Sequence, residues 1–373
     1  MPFSSDEIPV LLFADRLPPL VGGMEMHARY FIEHFAGHPR CPLVGVVTRD
    51  AQGRDCVADG ARREPIELAA LPTRFHPGVV FFNSGRWIKD LPRLRESFPR
   101  SLFVYRTGGN EILKAPLERA RLADHPARQA LWAGTLNRAI DLLITNSAFT
   151  EQRLRALGVE CSFARCVGGV NVEALYDVGR EPRPSATVFC AARFVPYKNH
   201  ALLIDVVRAL VSRGLDLRVR LAGDGPLLED ARGRVRRLGL EHVVDFLGVL
   251  DNEATCREIA RADLYMQLSS DQPTEVPGGS YLHSEGMGRS ILEALSAGTF
   301  VVAGRSGALP EIITREHGLL VELGDAASIA DQVEPLLRSP PARRDVTNQY
   351  AWSHVFERYE LLWEELHATA RCH

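Results

Sequence analysis

Two glutamates, Glu285 and Glu293, bracket seven residues within the segment 283–298, which reads HSEGMGRSILEALSAG. Gly286, Met287 and Gly288 lie just ahead of a helical pattern that begins near Arg289 and Ser290. Glycines there let backbone N–H groups converge on an anion at the helix N-terminus. Glu293, about one turn inside the helix, is suited to accept hydrogen bonds from sugar or ribose hydroxyls, with Glu285 on the loop before it. Upstream, Arg193 and Lys198 stand five apart on a loop between an apolar run and a second helical pattern. Arginine offers a planar fork and lysine a point charge, and the two facing one cleft make a diphosphate clamp. Of the 44 basic residues only Lys89, Lys114 and Lys198 are lysine, which singles out Lys198. The competing reading is two solvated cations and two exposed carboxylates at a helix start.

Smaller signals point the same way. Gly22 and Gly23 precede a helix, where the chain can approach an anion closely; the string is not GxGxxG, so no dinucleotide fingerprint is present. Gly223 opens a Gly-Asp-Gly-Pro turn whose proline suits a first helical position. His27 sits on the helix after the glycine pair and reads as structural more readily than catalytic. No DxD triplet, no CxxC pair and no zinc spacing occurs, so no metal and no cofactor are expected.

These residues need a scaffold. Short apolar runs at Val10–Ala14, Leu43–Thr48, Val79–Asn83, Leu102–Thr107 and Leu142–Asn146 alternate with helical patterns at Met24–Phe35, Leu117–Ile140 and Ala148–Leu157. After a polar, proline-bearing stretch at 177–185 the alternation restarts. Strands are expected at Thr187–Ala191, Leu217–Ala222, Val243–Leu247, Leu264–Leu268 and Phe300–Ala303, with helices between them. The fold class is therefore α/β, with two Rossmann-like, doubly wound domains (1–176 and 186–349) facing a cleft and joined by a linker. At 373 residues two cores are expected. No apolar run approaches the ~18 residues of a membrane span. The N-terminus lacks the features of a signal peptide, the seven cysteines are scattered, and the expected compartment is the cytoplasm. A formal charge of −3 gives no global attraction to nucleic acid.

The segment EGMGRSILEALSAG resembles the signature of the retaining family 4 glycosyltransferases of GT-B fold. Four further strings resemble that family in the same order: GGMEMH, TNSAFTEQRLRALGV at 145–159, AARFVPYKN and GDGP. The resemblance spans nearly the whole chain. It implies that Arg193 and Lys198 hold the donor diphosphate, that Glu293 binds the ribose hydroxyls, and that Glu285 lies near the donor sugar. It also implies that the Gly286–Ser290 backbone cradles sugar and phosphate, that Gly22 and Gly23 approach the phosphates, and that the helix 350–373 crosses back onto the N-terminal domain. Members often carry a histidine where Gly108 stands here, with Asn110 or Glu111 as its substitute.

The activity so implied is retaining, metal-independent transfer of a hexose from a nucleotide diphosphate sugar, with UDP and glucose or N-acetylglucosamine as the default. The alternatives are a sugar-nucleotide epimerase on the same fold and a sugar-nucleotide-binding protein without catalysis. The helix 24–35 carries one arginine and two glutamates, a poor match to an anionic bilayer, so a soluble acceptor is expected and stable membrane association is not. The stretch Ser269–His283 reads as a long loop bearing Asp271 and Glu275 without lysine or arginine. With Glu111 these carboxylates favour a cationic acceptor of the aminocyclitol or aminoglycoside kind. The other acceptor reading is a cell-envelope glycan or lipid.

Overall fold

The computed structural model describes residues 7–15, 17, 23–83, 85–109, 125–176, 185–276, 279–342 and 344–371. The chain forms two compact units. The first comprises Met1–Val167, Glu275–Tyr281 and Trp352–His373, and the second Gly168–Thr274 and Leu282–Ala351.

In the first unit the strands are β1 (Val10–Phe13), β2 (Leu43–Arg49), β3 (Asp55–Asp59), β4 (Arg62–Pro65), β5 (Val79–Phe82), β6 (Leu102–Arg106), β7 (Leu142–Thr145) and β8 (Ser162–Arg165). They form one sheet in the order β4-β3-β2-β1-β5-β6-β7-β8. The six strands from β2 to β8 through the centre are parallel, while β3 and β4 add an antiparallel edge. Successive side chains of a strand face opposite ways, and both faces of this sheet are covered. Leu11, Phe13, Val80 and Phe82 enter one core, with Trp132 and Leu136 from the helix His125–Ala139. Val10, Leu12, Phe81 and Val104 enter the other, beneath the helices Gly23–Phe35 and Trp352–Arg371. Strands buried on both faces read as unbroken apolar runs, which is why they were legible. The β3–β4 edge was not, because it is polar. Its one signal is Gly60, the first of the two turn residues between the paired Asp59 and Arg62, with φ +55°.

In the second unit the strands are β9 (Ala186–Ala191), β10 (Leu217–Ala222), β11 (Val244–Gly248), β12 (Leu264–Gln267), β15 (Phe300–Gly304) and β16 (Gly318–Val321), while the residues of β13 (Gln272–Val276) and β14 (Gly279–His283) are divided between the two units. An all-parallel sheet runs β11-β10-β9-β12-β15-β16. The long loop expected at Ser269–His283 is instead mostly a two-stranded ribbon, β13 with β14. Pro273 and the glycines at 278 and 279 hid its alternation. Residues 168–176, placed above with the first domain, group with the second unit. Gly169 and Val170 donate their N–H groups to the Tyr350 carbonyl, at 2.9 Å each, which ties this stretch to the end of the second unit. The linker residues 177–184 lie outside the described residues.

His200, the first residue of the helix His200–Ser212, is buried and stacked on Phe194 with ring centroids 4.0 Å apart. Burial, with Lys198 nearby, pushes its imidazole down to about 4 from an ordinary 6.5. A depressed histidine stabilises the fold above its unfolded pKa, and that stability is lost as pH falls through the window from 6.5 toward 4. The full shift is worth about 3 kcal/mol. His200→Phe is expected to keep most of its pH 7 melting temperature at pH 4.5, where the wild type loses several degrees. Equal acid sensitivity of the two proteins would clear His200 of this role.

Candidate active site

β9 ends at Ala191, and Arg193 follows on the loop beyond it. The loop is held by close backbone approach. A Cβ at Gly223, where φ is +135°, would overlap the carbonyl of Ala192, so only glycine fits the turn after β10. Phe194 N–H donates to the Asp224 carbonyl at 2.9 Å. A single 3-10 turn, Pro196–Lys198, then carries Lys198, and Asn199 adopts the left-handed conformation (φ 54°) that starts the next helix. Lys198 is thereby aimed inward while Arg193 stays exposed, with no ion pair among the described residues.

Lys198 Nζ lies 2.6 Å from Glu285 Oε2. The same oxygen accepts from Gln267 Nε2 at 3.1 Å and from Ser269 Oγ at 3.0 Å. Gln267 is the last residue of β12 and Ser269 lies just beyond it, and both are fully buried. Burial opposes the ammonium form of Lys198, but the charge of Glu285, with Tyr197 and Cys190, outweighs it and holds the group above the ordinary lysine range. The Glu285 backbone is fixed as well, since its carbonyl accepts from Ala308 N–H at 2.9 Å. Gly288, at φ +69°, caps the helix Arg289–Ser296, so Gly286, Met287 and Gly288 form the turn leading to its positive end. Ser290 Oγ is 2.7 Å from the buried Tyr265 hydroxyl and donates to the Ala191 carbonyl at 3.0 Å.

Glu293 is 3% exposed and accepts from Asn252 Nδ2 at 2.9 Å, with Arg289 Nε 3.7 Å away. Burial raises its carboxyl above the ordinary range, partly offset by Arg289 and Asn252. One unit thus brings together Arg193, Lys198, Gly223, Glu285, Gly286, Met287, Gly288, Ser290 and Glu293.

Three of the candidates for acceptor binding, His27, Asp271 and Glu275, lie among the described residues. His27 is fully buried, 3.1 Å from the Tyr359 hydroxyl and ringed by Phe31, Phe81, Trp352 and Phe356. Burial and Arg106 hold it well below the usual histidine range, so it is a neutral core residue and not an acceptor contact. Asp271 accepts from Ser306 Oγ at 2.6 Å and from Gly307 N–H at 3.1 Å, so its carboxylate braces the neighbouring turn. Glu275 is exposed on β13. Gly23 begins its helix, and a Cβ there would meet nothing. Gly22, Asn110 and Glu111 lie outside the described residues.

Residues 173–351 match the family described as glycosyl transferases group 1. Along 93% of this chain and 96% of the relative, the sequence is 25% identical to a GDP-mannose-dependent monoacylated α-(1-6)-phosphatidylinositol monomannoside mannosyltransferase of Corynebacterium glutamicum. A sucrose-phosphate synthase structure from Thermosynechococcus elongatus superposes with a TM-score of 0.71 at 19% identity, covering 97% of this chain and all of that one. The chain is a glycosyltransferase of GT-B fold, with a group 1 glycosyl transferase domain at residues 173–351. Over 43% of its length it is also 30% identical to the N-acetyl-α-D-glucosaminyl L-malate synthase of Bacillus anthracis, covering 42% of that protein.

Several features of this glycosyltransferase were not picked out from sequence. Gln267 and Ser269 are two apart at the end of β12, on one face of an extended chain, and that spacing was the available signal. Asn252 had none. Among the described residues one group has metal-ligand types within reach of one another: His34, His38 and Glu360. There the Cys41 N–H donates to His38 Nδ1 at 3.0 Å, which in the neutral ring leaves the proton on Nε2, 3.4 Å from Glu360 Oε1. A ring so engaged presents a donor and not a lone pair, and the group is a hydrogen-bonded brace of the helix Trp352–Arg371. No helix among the described residues is long and apolar enough to cross a membrane.

Proposed function

We propose that this glycosyltransferase moves a hexose, with retention and without a metal ion, from a nucleoside diphosphate sugar to a hydroxyl of an anionic, polyhydroxylated acceptor of the cell-envelope kind. The observation that carries the transfer reading is the convergence of Lys198, Gln267 and Ser269 on one oxygen of Glu285, at the start of a helix and in the same unit as the exposed Arg193. Positive charge and helix amides there suit a departing diphosphate. In the front-face scheme the bond from the anomeric carbon to phosphate oxygen breaks and the bond to the acceptor oxygen forms on the same face. The departing phosphate oxygen takes the acceptor's proton, so no protein base is needed. GDP-mannose is the working donor, on the strength of the Corynebacterium relative.

Two observations turn the acceptor reading away from an aminocyclitol. One oxygen of the Asp271 carboxylate is engaged by Ser306 and Gly307, and the relatives' names carry a phosphatidylinositol mannoside and malate, both anionic. A cavity of about 430 Å³ at the carboxyl ends of β1 and β2 adds support. Its lining includes Asp15, Thr48, Arg49, Asp50, Arg63 and Arg86, acids and arginines that suit hydroxyls together with one anionic group.

The test is a donor panel of GDP-mannose, UDP-glucose and UDP-N-acetylglucosamine against inositol phosphate, a phosphatidylinositol mannoside, and an aminocyclitol paired with its deaminated analogue, with and without EDTA. Transfer to the anionic polyols, unchanged by EDTA, is the expected result. Turnover of the nucleotide sugar alone, with proton exchange into the sugar, would instead establish an epimerase. Preference for the aminocyclitol over its analogue would reverse the acceptor reading.

A further inference from the structure

We propose that Asn252 is a second ribose-binding residue, dividing the donor's ribose diol with Glu293; this rests on the reading of Glu293 as the ribose carboxylate. Asn252 is the first residue of the helix Asn252–Arg261, whose start is fixed by the Asp251 side chain accepting from Ala254 N–H at 2.7 Å. Its Nδ2 donates to Glu293 Oε1 at 2.9 Å. An ionised carboxylate only accepts, so the amide must turn its NH2 group toward Glu293, and that fixes Oδ1 on the opposite side. Asn252 Oδ1 is buried and has no hydrogen-bond partner among the described residues. Buried polar atoms are rarely left so.

Glu293 shows the complementary state. Its Oε1 holds Asn252 and faces Arg289, while Oε2 has no hydrogen bond among the described residues. Two adjoining side chains therefore each present one acceptor atom without a donor. A ribose carries two neighbouring hydroxyl donors. Glu293 Oε2 takes one and Asn252 Oδ1 takes the other. If Glu293 took both, the Asn252 acceptor would stay buried and unpaired when the donor is bound.

Calorimetric titration of the whole protein with GDP, 2′-deoxy-GDP and 3′-deoxy-GDP tests this, using the wild type, Asn252→Ala, Asn252→Ser and Glu293→Ala. The wild type is expected to bind each deoxy analogue about tenfold more weakly than GDP. Asn252→Ala should bind GDP about tenfold more weakly and lose discrimination against one analogue while keeping it against the other. Asn252→Ser, whose shorter hydroxyl does not reach as far, should behave alike, and it serves if the alanine variant melts early. Discrimination against both analogues intact in the Asn252 variants, with GDP affinity lowered or not, overturns the proposal and leaves Asn252 as a brace for Glu293. Discrimination intact in Glu293→Ala would instead remove the reading of Glu293 itself.

Discussion

Lys198→Met lowers kcat about a hundred- to a thousandfold, the range seen when a preorganised group facing developing charge is removed. Lys198 is the inward-facing cation of the donor loop, and its Nζ is held 2.6 Å from Glu285. The same substitution is expected to lower stability, because Glu285 is 7% exposed and would keep only Gln267 and Ser269 as side-chain partners of that oxygen. Breaking a buried pair from one side costs roughly 3–5 kcal/mol, and the 11% side-chain exposure of Lys198 puts this pair at the lower end. Adding Glu285→Gln should recover most of the melting temperature and none of the turnover. Single-turnover kinetics and thermal melts of the two variants separate the effects. A kcat within threefold of wild type in Lys198→Met would remove the lysine from the reaction.

Glu293→Gln is expected to raise stability and lower donor affinity together. Burial leads in lifting the Glu293 carboxyl above its ordinary 4.5. The folded state therefore holds this proton more tightly than the unfolded chain does. The associated stability is fully present below about pH 4.5 and is lost as pH rises through the folded-state pKa, so at neutral pH the ionised group is a net cost. Glutamine keeps an acceptor for Asn252 and removes the buried charge. Its melting temperature should exceed that of the wild type at pH 7.5 by more than at pH 5, while nucleoside diphosphate affinity falls about tenfold as a charge-assisted bond to a hydroxyl is weakened. A variant less stable at both pH values would show that the ion pair with Arg289 outweighs burial.

The sequence made the α/β class and the main strands readable because strands covered on both faces, such as Leu11–Phe13 and Val301–Ala303, cannot hide among polar residues. Lys198 and the two glutamates stood out by the rarity of lysine and by the spacing of the acids around the glycines, and the structure pairs Lys198 with Glu285 at 2.6 Å. At Asp271 an acid without a neighbouring base looked wholly available for a ligand, whereas one of its oxygens accepts from a hydroxyl and an N–H at Ser306 and Gly307, far along the chain and not themselves charged. His27, read as structural more readily than catalytic, is a core residue whose partner Tyr359 is 332 residues away. Asn252 was invisible because its significance lies in one bond made and one left unmade.

The helix Trp352–Arg371 supplies Trp352, Phe356, Tyr359 and Trp363 to the core that also holds Val10, Phe31 and Phe81. The first unit is thus begun before the second and finished after it. During synthesis at about 5–20 residues per second, residues 168–351 emerge while one face of the earlier sheet still lacks its aromatic cover. The second unit is free to fold on emergence, and the first must wait tens of seconds with Phe31, Phe35 and Phe81 uncovered. In the cell that interval is a natural window for a holding chaperone, and ribosome stalling within 168–351 would strand a sticky, half-built N-terminal unit.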